Sequence, residues 1–436
     1  MFIDYSNGRT LARKDEDNIH MGLQHHGRVR RVALRAPSSS LHMLVEPMNK
    51  SFPRLEYLSL LSTTTEDTSL VLPEKFQAPD LRYLALHGIG LPTGLPLLSS
   101  VIALSTLSLT HIGTSCYFPP GHLVTELQGL PHLEELSIGF AIPLPLPSSE
   151  GELLPALISP VTLPTLKQLT FRGLGVYLDN LVAQINAPLL ERLNLALFFE
   201  LAFTLENLAE FIQRAEGFGC PVAQVIFNKD GPSIDTGYYE PGKFSLRVNC
   251  ERPDWQVDSA TQVCSAIGGV LSAVEELKLD LNVDWGNTLD NMSWHELLVP
   301  FDGVKKLHIG SSLTLGLCQA LRSVAEGLVQ ECLPELQELG VQLEIDHATK
   351  AFSAFTEARN SEGRPVRLLA PSIRDAEPKV PREIRNVDDM DLKALSRYMN
   401  NFGRSYRNQA MELIDIYRVL VQKQEPTFRS YDKLRW

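Results

Sequence analysis

FPRLEYLSLLS, residues 52–62, and APDLRYLALHG, residues 78–88, carry the same phrase, L-x-x-L-x-L, with the apolar positions in the same places. In an extended chain, residues two apart point to the same side. Leu58 and Leu60 therefore face one way, as do Leu84 and Leu86, while Tyr57, Ser59, Tyr83 and Ala85 face the other. Each phrase predicts one short strand with a buried and an exposed face. A strand this short cannot bury its apolar side alone, so neighbouring units must stack side by side.

The phrase recurs upstream as RVRRVAL (28–34) and downstream as ALSTLSL (103–109), HLEELSI (132–138), TLKQLTF (165–171) and LLERLNL (189–195). A weaker copy, PVAQVIF (221–227), precedes a gap, after which AVEELKL (273–279), GVKKLHI (303–309) and ELQELGV (335–341) resume it. Most copies return after roughly 23 to 33 residues, near or a little above the leucine-rich-repeat period. The predicted fold is α/β: an irregular leucine-rich-repeat-like solenoid over residues 1–373, with a parallel sheet on the concave face, loops and helices on the convex face, and a charged linker and helical tail over 374–436.

Proline-bounded links with only short helical patterns join the early phrases, and Pro53, Pro79, Pro131, Pro164, Pro188 and Pro334 stand just ahead of phrases, where they fit a strand entry. Longer helices are expected ahead of later strands, around 204–219, 259–274, 314–333 and 347–363. Strand–helix alternation alone would also suit a doubly wound sheet. The regular return and weakly helical links of the early half argue against it.

Composition sets outer bounds. A 436-residue chain with 44% apolar residues can build a substantial core, and a formal charge of -12 disfavours capture of nucleic-acid phosphate or anionic lipid by the chain as a whole. Six cysteines without a C-x-x-C pair suggest reduced, mostly buried thiols. The N-terminal stretch has no signal-peptide core and no run of about 20 apolar residues follows, so cytoplasm or nucleus is expected.

No phosphate loop, dinucleotide turn, H-E-x-x-H helix or nucleophile elbow occurs, and His25 and His26 lack further ligands at zinc spacing with His20 or His42. Carboxylate neighbours such as Glu134 with Glu135 and Glu275 with Glu276 would point to opposite faces of a strand. No enzyme activity, metal or cofactor is expected. Binding is instead expected on the outward residues of the strands. Arg31, Arg35, Tyr57, Tyr83, Arg172 and Arg192 are favoured because Arg and Tyr dominate interface hot spots, and His87, Lys278, Lys306 and His308 share the same face. In the tail, aromatic and basic residues such as Tyr398, Arg404, Tyr406 and Arg407 interleave with Asp388, Asp389 and Asp391, leaving the segment near neutral. That mixture suits a solvated helix better than a nucleic-acid surface.

The runs LQHHGRVRRVALRAPSSSLHMLVEPM, FPRLEYLSLLS, LVLPEKFQAPDLRYLALHGIGLP, VIALSTLSLTHIG and FPPGHLVTELQGLPHLEELSIGF together resemble the leucine-rich-repeat part of fungal F-box-type proteins, over roughly residues 1–370. The resemblance implies a substrate-recognition arm of a cullin-based ubiquitin ligase. No leucine- and proline-rich F-box segment precedes MFIDYSNGRT, so a ligase adaptor is an expected partner only if such a segment is supplied. The chain is then either a truncated product or a scaffold that binds its protein target without delivering it. Two other classes stay open: a small-GTPase regulator of leucine-rich-repeat type, and a nucleic-acid-associated protein acting through the tail, which predicts salt-sensitive binding by residues 374–436.

Overall fold

The computed structural model describes residues 1–6, 12–64, 70–92, 97–143, 160–215, 221–236, 243–283, 294–327, 331–342 and 345–369. The tail reading, from residue 374 onward, lies outside the described residues. Among the described residues, no helix is long and apolar enough to cross a membrane.

Among the described residues, the fold is mixed α/β and is organised by one open, mostly parallel sheet of fifteen strands. Its first part is β1 (Phe2–Ser6), β2 (Arg31–Ala36), β3 (Tyr57–Ser62), β4 (Tyr83–His87), β5 (Thr106–Ile112) and β6 (Glu135–Phe140). A short pair, β7 (Val161–Thr162) and β9 (Ile185–Asn186), lies apart from the main sheet, which continues with β8 (Gln168–Gly173) and β10 (Arg192–Phe198). The remaining strands are β11 (Val222–Asn228), β12 (Gly231–Thr236), β13 (Phe244–Asn249), β14 (Glu276–Leu281), β15 (Lys306–Ile309), β16 (Glu338–Val341) and β17 (Arg367–Leu369). Every L-x-x-L-x-L phrase ends in one of these strands.

Alternation governs burial. Leu58 and Leu60 are sealed, and the parallel register places them beside Leu84 and Leu86, then Leu107 and Leu109, Leu136 and Ile138, and Leu169 and Phe171. Each such side chain contributes about 1.5–3 kcal/mol by leaving water. The first apolar residue of most phrases has a different task. Its N–H closes a turn onto the carbonyl three residues earlier, as in Leu55 to Phe52, Leu81 to Ala78, Leu133 to Leu130 and Leu166 to Leu163. The prolines sit second in those turns, where a fixed φ near −65° is favoured and no N–H is required. They mark a turn ahead of the strand, not the strand entry expected from sequence.

A second recurrent bond locks the units together. One carbonyl of each unit accepts two successive N–H groups of the next: Arg30 takes Glu56 and Tyr57, Glu56 takes Arg82 and Tyr83, and Arg82 takes Ser105 and Thr106. The same pairing reappears late in the chain, where Glu275 takes Lys305 and Lys306, and Lys305 takes Gln337 and Glu338.

The links carry helices of modest length: α1 (Arg13–Gln24), α2 (Ser38–Val45), α3 (Pro120–Leu127), α4 (Gly175–Ala183) and α5 (Glu206–Arg214) in the first half, then α6 (Pro253–Ala266), α7 (Gly268–Leu271), α8 (Trp294–Leu298), α9 (Thr314–Ala325) and α10 (Ile345–Ser361). Among the described residues, the β3–β4 and β4–β5 links contain no α-helix. A carboxylate from the neighbouring unit caps α5. Asp179, buried on α4, accepts the backbone N–H groups of Asn207 and Leu208 at 2.9 and 3.1 Å and the Asn207 amide at 2.7 Å, satisfying the free end of α5. Near the last strand, the buried Arg359 guanidinium holds Glu331 at 2.9 Å and donates to the carbonyls of Leu333, Pro334 and Leu336.

One departure from simple stacking falls where the phrase lapses. The sheet order runs β10-β13-β12-β11-β14, and β12 is antiparallel to both neighbours. The wholly parallel, in-sequence sheet expected from the repeats is therefore interrupted. The cause is a hairpin: Lys229 and Asp230 form a two-residue loop between paired Asn228 and Gly231, a composition suited to tight turns. Gly231 has φ of 134°, and a side chain there would meet the Val248 carbonyl. The buried Gln256 amide on α6 donates to the carbonyls of Asn228 and Cys250, tying this reversed unit to its helix.

Candidate functional site

The outward residues of the parallel strands fall into rows that cross the sheet. The first row runs Arg31, Tyr57, Tyr83, Thr106, Glu135 and Gln168, and continues to Arg192. A middle row is made of small side chains: Ala33, Ser59, Ala85, Ser108, Ser137 and Thr170. The third row contains Arg35, Leu61, His87 and Thr110, then Gly139, Arg172, Ala196 and Arg247 beyond an irregularity in β5.

The first row is preassembled. The Arg31 guanidinium lies 3.7 Å from the centre of the Tyr57 ring, and Tyr57 stacks on Tyr83 with ring centres 4.2 Å apart and planes within 4°. The strand register alone sets the neighbours, because directly opposed side chains in a sheet stand about 5 Å apart. Burial, followed by the neighbouring Tyr57, raises the Tyr83 hydroxyl above its usual pKa. Arg192 stands exposed at the start of β10.

The third row depends on a bulge. The β5–β6 register shifts between Leu109 and Ile112, so Thr110 and His111 are both half-exposed. His111 takes φ of 56°, a left-handed conformation uncommon outside glycine. Its ring stacks on His87 at 5.2 Å, and His87 Nδ1 is 3.0 Å from Thr110 Oγ1. Burial, then His111, Arg35 and Arg172 in that order, lowers the His87 pKa. The imidazole is thus held neutral within a basic neighbourhood.

The last part of the same face differs. Lys278 is 3.7 Å from Asp280, His308 is 3.5 Å from Glu276, and Lys306 is 3.5 Å from Glu338. The three candidates drawn from these strands, Lys278, Lys306 and His308, are matched by carboxylates of their own sheet. The structure thus brings together Arg31, Tyr57 and Tyr83 in one group and Arg35, His87 and Arg172 in another.

Sequence reasoning missed His111 and Arg247. Arg247 had a signal, since Phe244, Leu246 and Val248 alternate with it in KFSLRVN. The orientation of His111 follows from a bulge that no spacing rule announces.

The residues weighed for chemistry are occupied structurally. Glu134 pairs with Lys167 at 2.9 Å, Glu275 with Lys305 at 2.7 Å, and His26 Nδ1 lies 2.8 Å from the Ser51 carbonyl oxygen. Among the described residues, no group of three or more metal-ligating side chains assembles. Burial pushes the Cys264 thiol well up and that of Cys332 up to about 11, leaving both protonated and poorly nucleophilic at neutral pH. No family model, curated protein or solved structure gives a significant match to the chain. The functional reading therefore stands on the geometry of the sheet face.

Proposed function

We propose that this protein is an interaction scaffold: a leucine-rich-repeat-like solenoid that presents the outward face of its sheet to another polypeptide, as the substrate-recognition arm of an F-box receptor would. The observation that carries this reading is the preassembled Arg31–Tyr57–Tyr83 stack on a face whose first and middle rows remain half-buried or exposed. Rigid aromatic groups present contact area at low entropic cost, and binding energy concentrates on a few such anchors. Stability of the array supports the same role, because each unit rests on its neighbours through buried leucines and leaves the outer rows uninvolved.

Affinity capture with the full chain, read by mass spectrometry, tests the proposal against a Tyr57→Ala/Tyr83→Ala variant. Loss of the same captured protein from the variant, with its fold intact by circular dichroism, supports recognition through this face. An unchanged capture profile sinks it. Recovery of a ligase adaptor and cullin with the wild-type chain would support the F-box kinship, whereas a partner without them points to a free-standing scaffold.

A further inference from the structure

We infer that the row Arg35, His87, His111, Arg172 and Arg247 is a docking strip for a carboxylate-bearing, extended segment of a partner protein. This deepens the scaffold reading and rests on it. Charge is the first argument. In a chain of formal charge -12, five basic side chains share one sheet row, and among the described residues none of the five forms an ion pair with a carboxylate. Asp4 and Asp235 occupy the middle row at the two ends of the strip, diagonal to Arg35 and Arg247, and neither pairs with them. The paired lysines of β14 and β15 show what the same sheet does when its charges serve only the fold.

Backbone geometry is the second argument. A left-handed non-glycine residue and a bulge both cost stability, and they persist where the surrounding structure enforces them, commonly at binding sites. Here they hold His111 against His87 and beside a row that already contains three arginines. Like charges or potential charges gathered without a counter-ion destabilise the free protein. An incoming anion removes that penalty.

Dimensions select the occupant. At about 4.8 Å per strand, Arg35 and His87 are roughly 10 Å apart and His87 and Arg172 roughly 14 Å. The wider interval matches carboxylates four residues apart on one side of an extended polypeptide, and the length of the Arg35 side chain bridges the narrower one to a same-side carboxylate two residues further along, about 7 Å away. The small-residue middle row forms a channel whose bounding rows are about 13 Å apart between backbones, wide enough for one extended chain. The Arg31–Tyr57–Tyr83 stack supplies the opposite wall. A nucleic-acid duplex, whose major groove alone is about 12 Å wide, is too broad to enter.

Protonation follows from the same setting. The groups facing His87 are Thr110 and His111 from β5, Arg35 from β2 and Arg172 from β8, with no carboxylate among them. A bound carboxylate favours the imidazolium, so binding takes up a proton and tightens as pH falls from about 8 to about 6.

Fluorescence polarisation of the full chain tests the strip. The probe is a labelled twelve-residue peptide with glutamates at positions 4, 6 and 10, all on one side of an extended chain, among alanines and serines, and a twelve-nucleotide oligothymidylate is the comparator. Expected results are saturable peptide binding at low ionic strength, at least about tenfold weaker binding by Arg35→Glu/Arg172→Glu, less than about twofold change for Lys278→Ala/Lys306→Ala, and loss of the pH response in His87→Gln. Absence of saturable peptide binding overturns the inference. So does equal binding by the charge-reversed variant, or tighter oligonucleotide binding with the same variant dependence. The capture experiment separates this failure from that of the scaffold: a partner lost with Tyr57→Ala/Tyr83→Ala but retained with Arg35→Glu/Arg172→Glu leaves the recognition face standing without its acidic ligand.

Discussion

Strands β2 to β8 and strands β14 to β16 bury the same kind of leucine rows but treat their outer faces differently. In the later strands each basic group meets an acidic one on its own sheet: Lys306 with Glu338, His308 with Glu276, Lys278 with Asp280. In the earlier strands the aromatic and basic groups stack on one another, as Arg31 does on Tyr57 and His87 on His111. One core therefore carries an outer face whose basic groups are matched within the sheet and another whose aromatic and basic groups stack on one another.

The largest test of this contrast strikes what the two regions share. Phe171→Ala in β8 should cost about 3–5 kcal/mol and Leu307→Ala in β15 about 2–5 kcal/mol. Both losses are readable by urea unfolding. Two separated transitions, one per region, would break the idea of a continuous core. Next in size, Arg359→Met removes a charged donor to Glu331 and three carbonyls and should cost about 2–3 kcal/mol. Hydrogen exchange should then rise over residues 331–369 while β3 and β4 stay protected.

A subtler effect distinguishes the outer faces by pH. The His87 pKa is lowered in the fold, so the unfolded chain binds more protons as pH drops below the ordinary histidine value, and stability falls through that range. Urea midpoints of His87→Gln should show a shallower decline toward acid than the wild type. The smallest effect belongs to the matched surface: Lys306→Ala should change stability by no more than about 0.5 kcal/mol, since exposed ion pairs contribute little.

What the sequence disclosed was local. Leu58, Leu60 and their counterparts carry a period-two signal within seven residues, enough to locate each strand and tell its buried side from its outer one. The prolines were visible, yet their place in a turn became clear only from the bond joining Leu55 to Phe52. Strands β12 and β13 escaped notice because Gly231–Thr236 lacks the leucine phrase, and their reversed order is a property of pairing between distant segments. The candidate site divides along the same line. Arg35, His87 and Arg172 were readable as outward residues, but their gathering into one row depends on strand register. The neutralisation of Lys306 and His308 likewise depends on Glu338 and Glu276 on neighbouring strands, whereas Lys278 meets Asp280 two residues along its own strand.

The reversed hairpin also bears on how the chain assembles. Pairing two successive parallel strands elsewhere in the array requires closing a loop of many residues, with an entropy cost that grows with loop length. Joining β11 to β12 closes only Lys229 and Asp230. The interruption in the repeat therefore holds the cheapest strand pairing to close, and we expect ordered structure to begin there, with β13 adding on one side and β14 on the other, so that the unit that breaks the pattern becomes a starting point from which the pattern spreads.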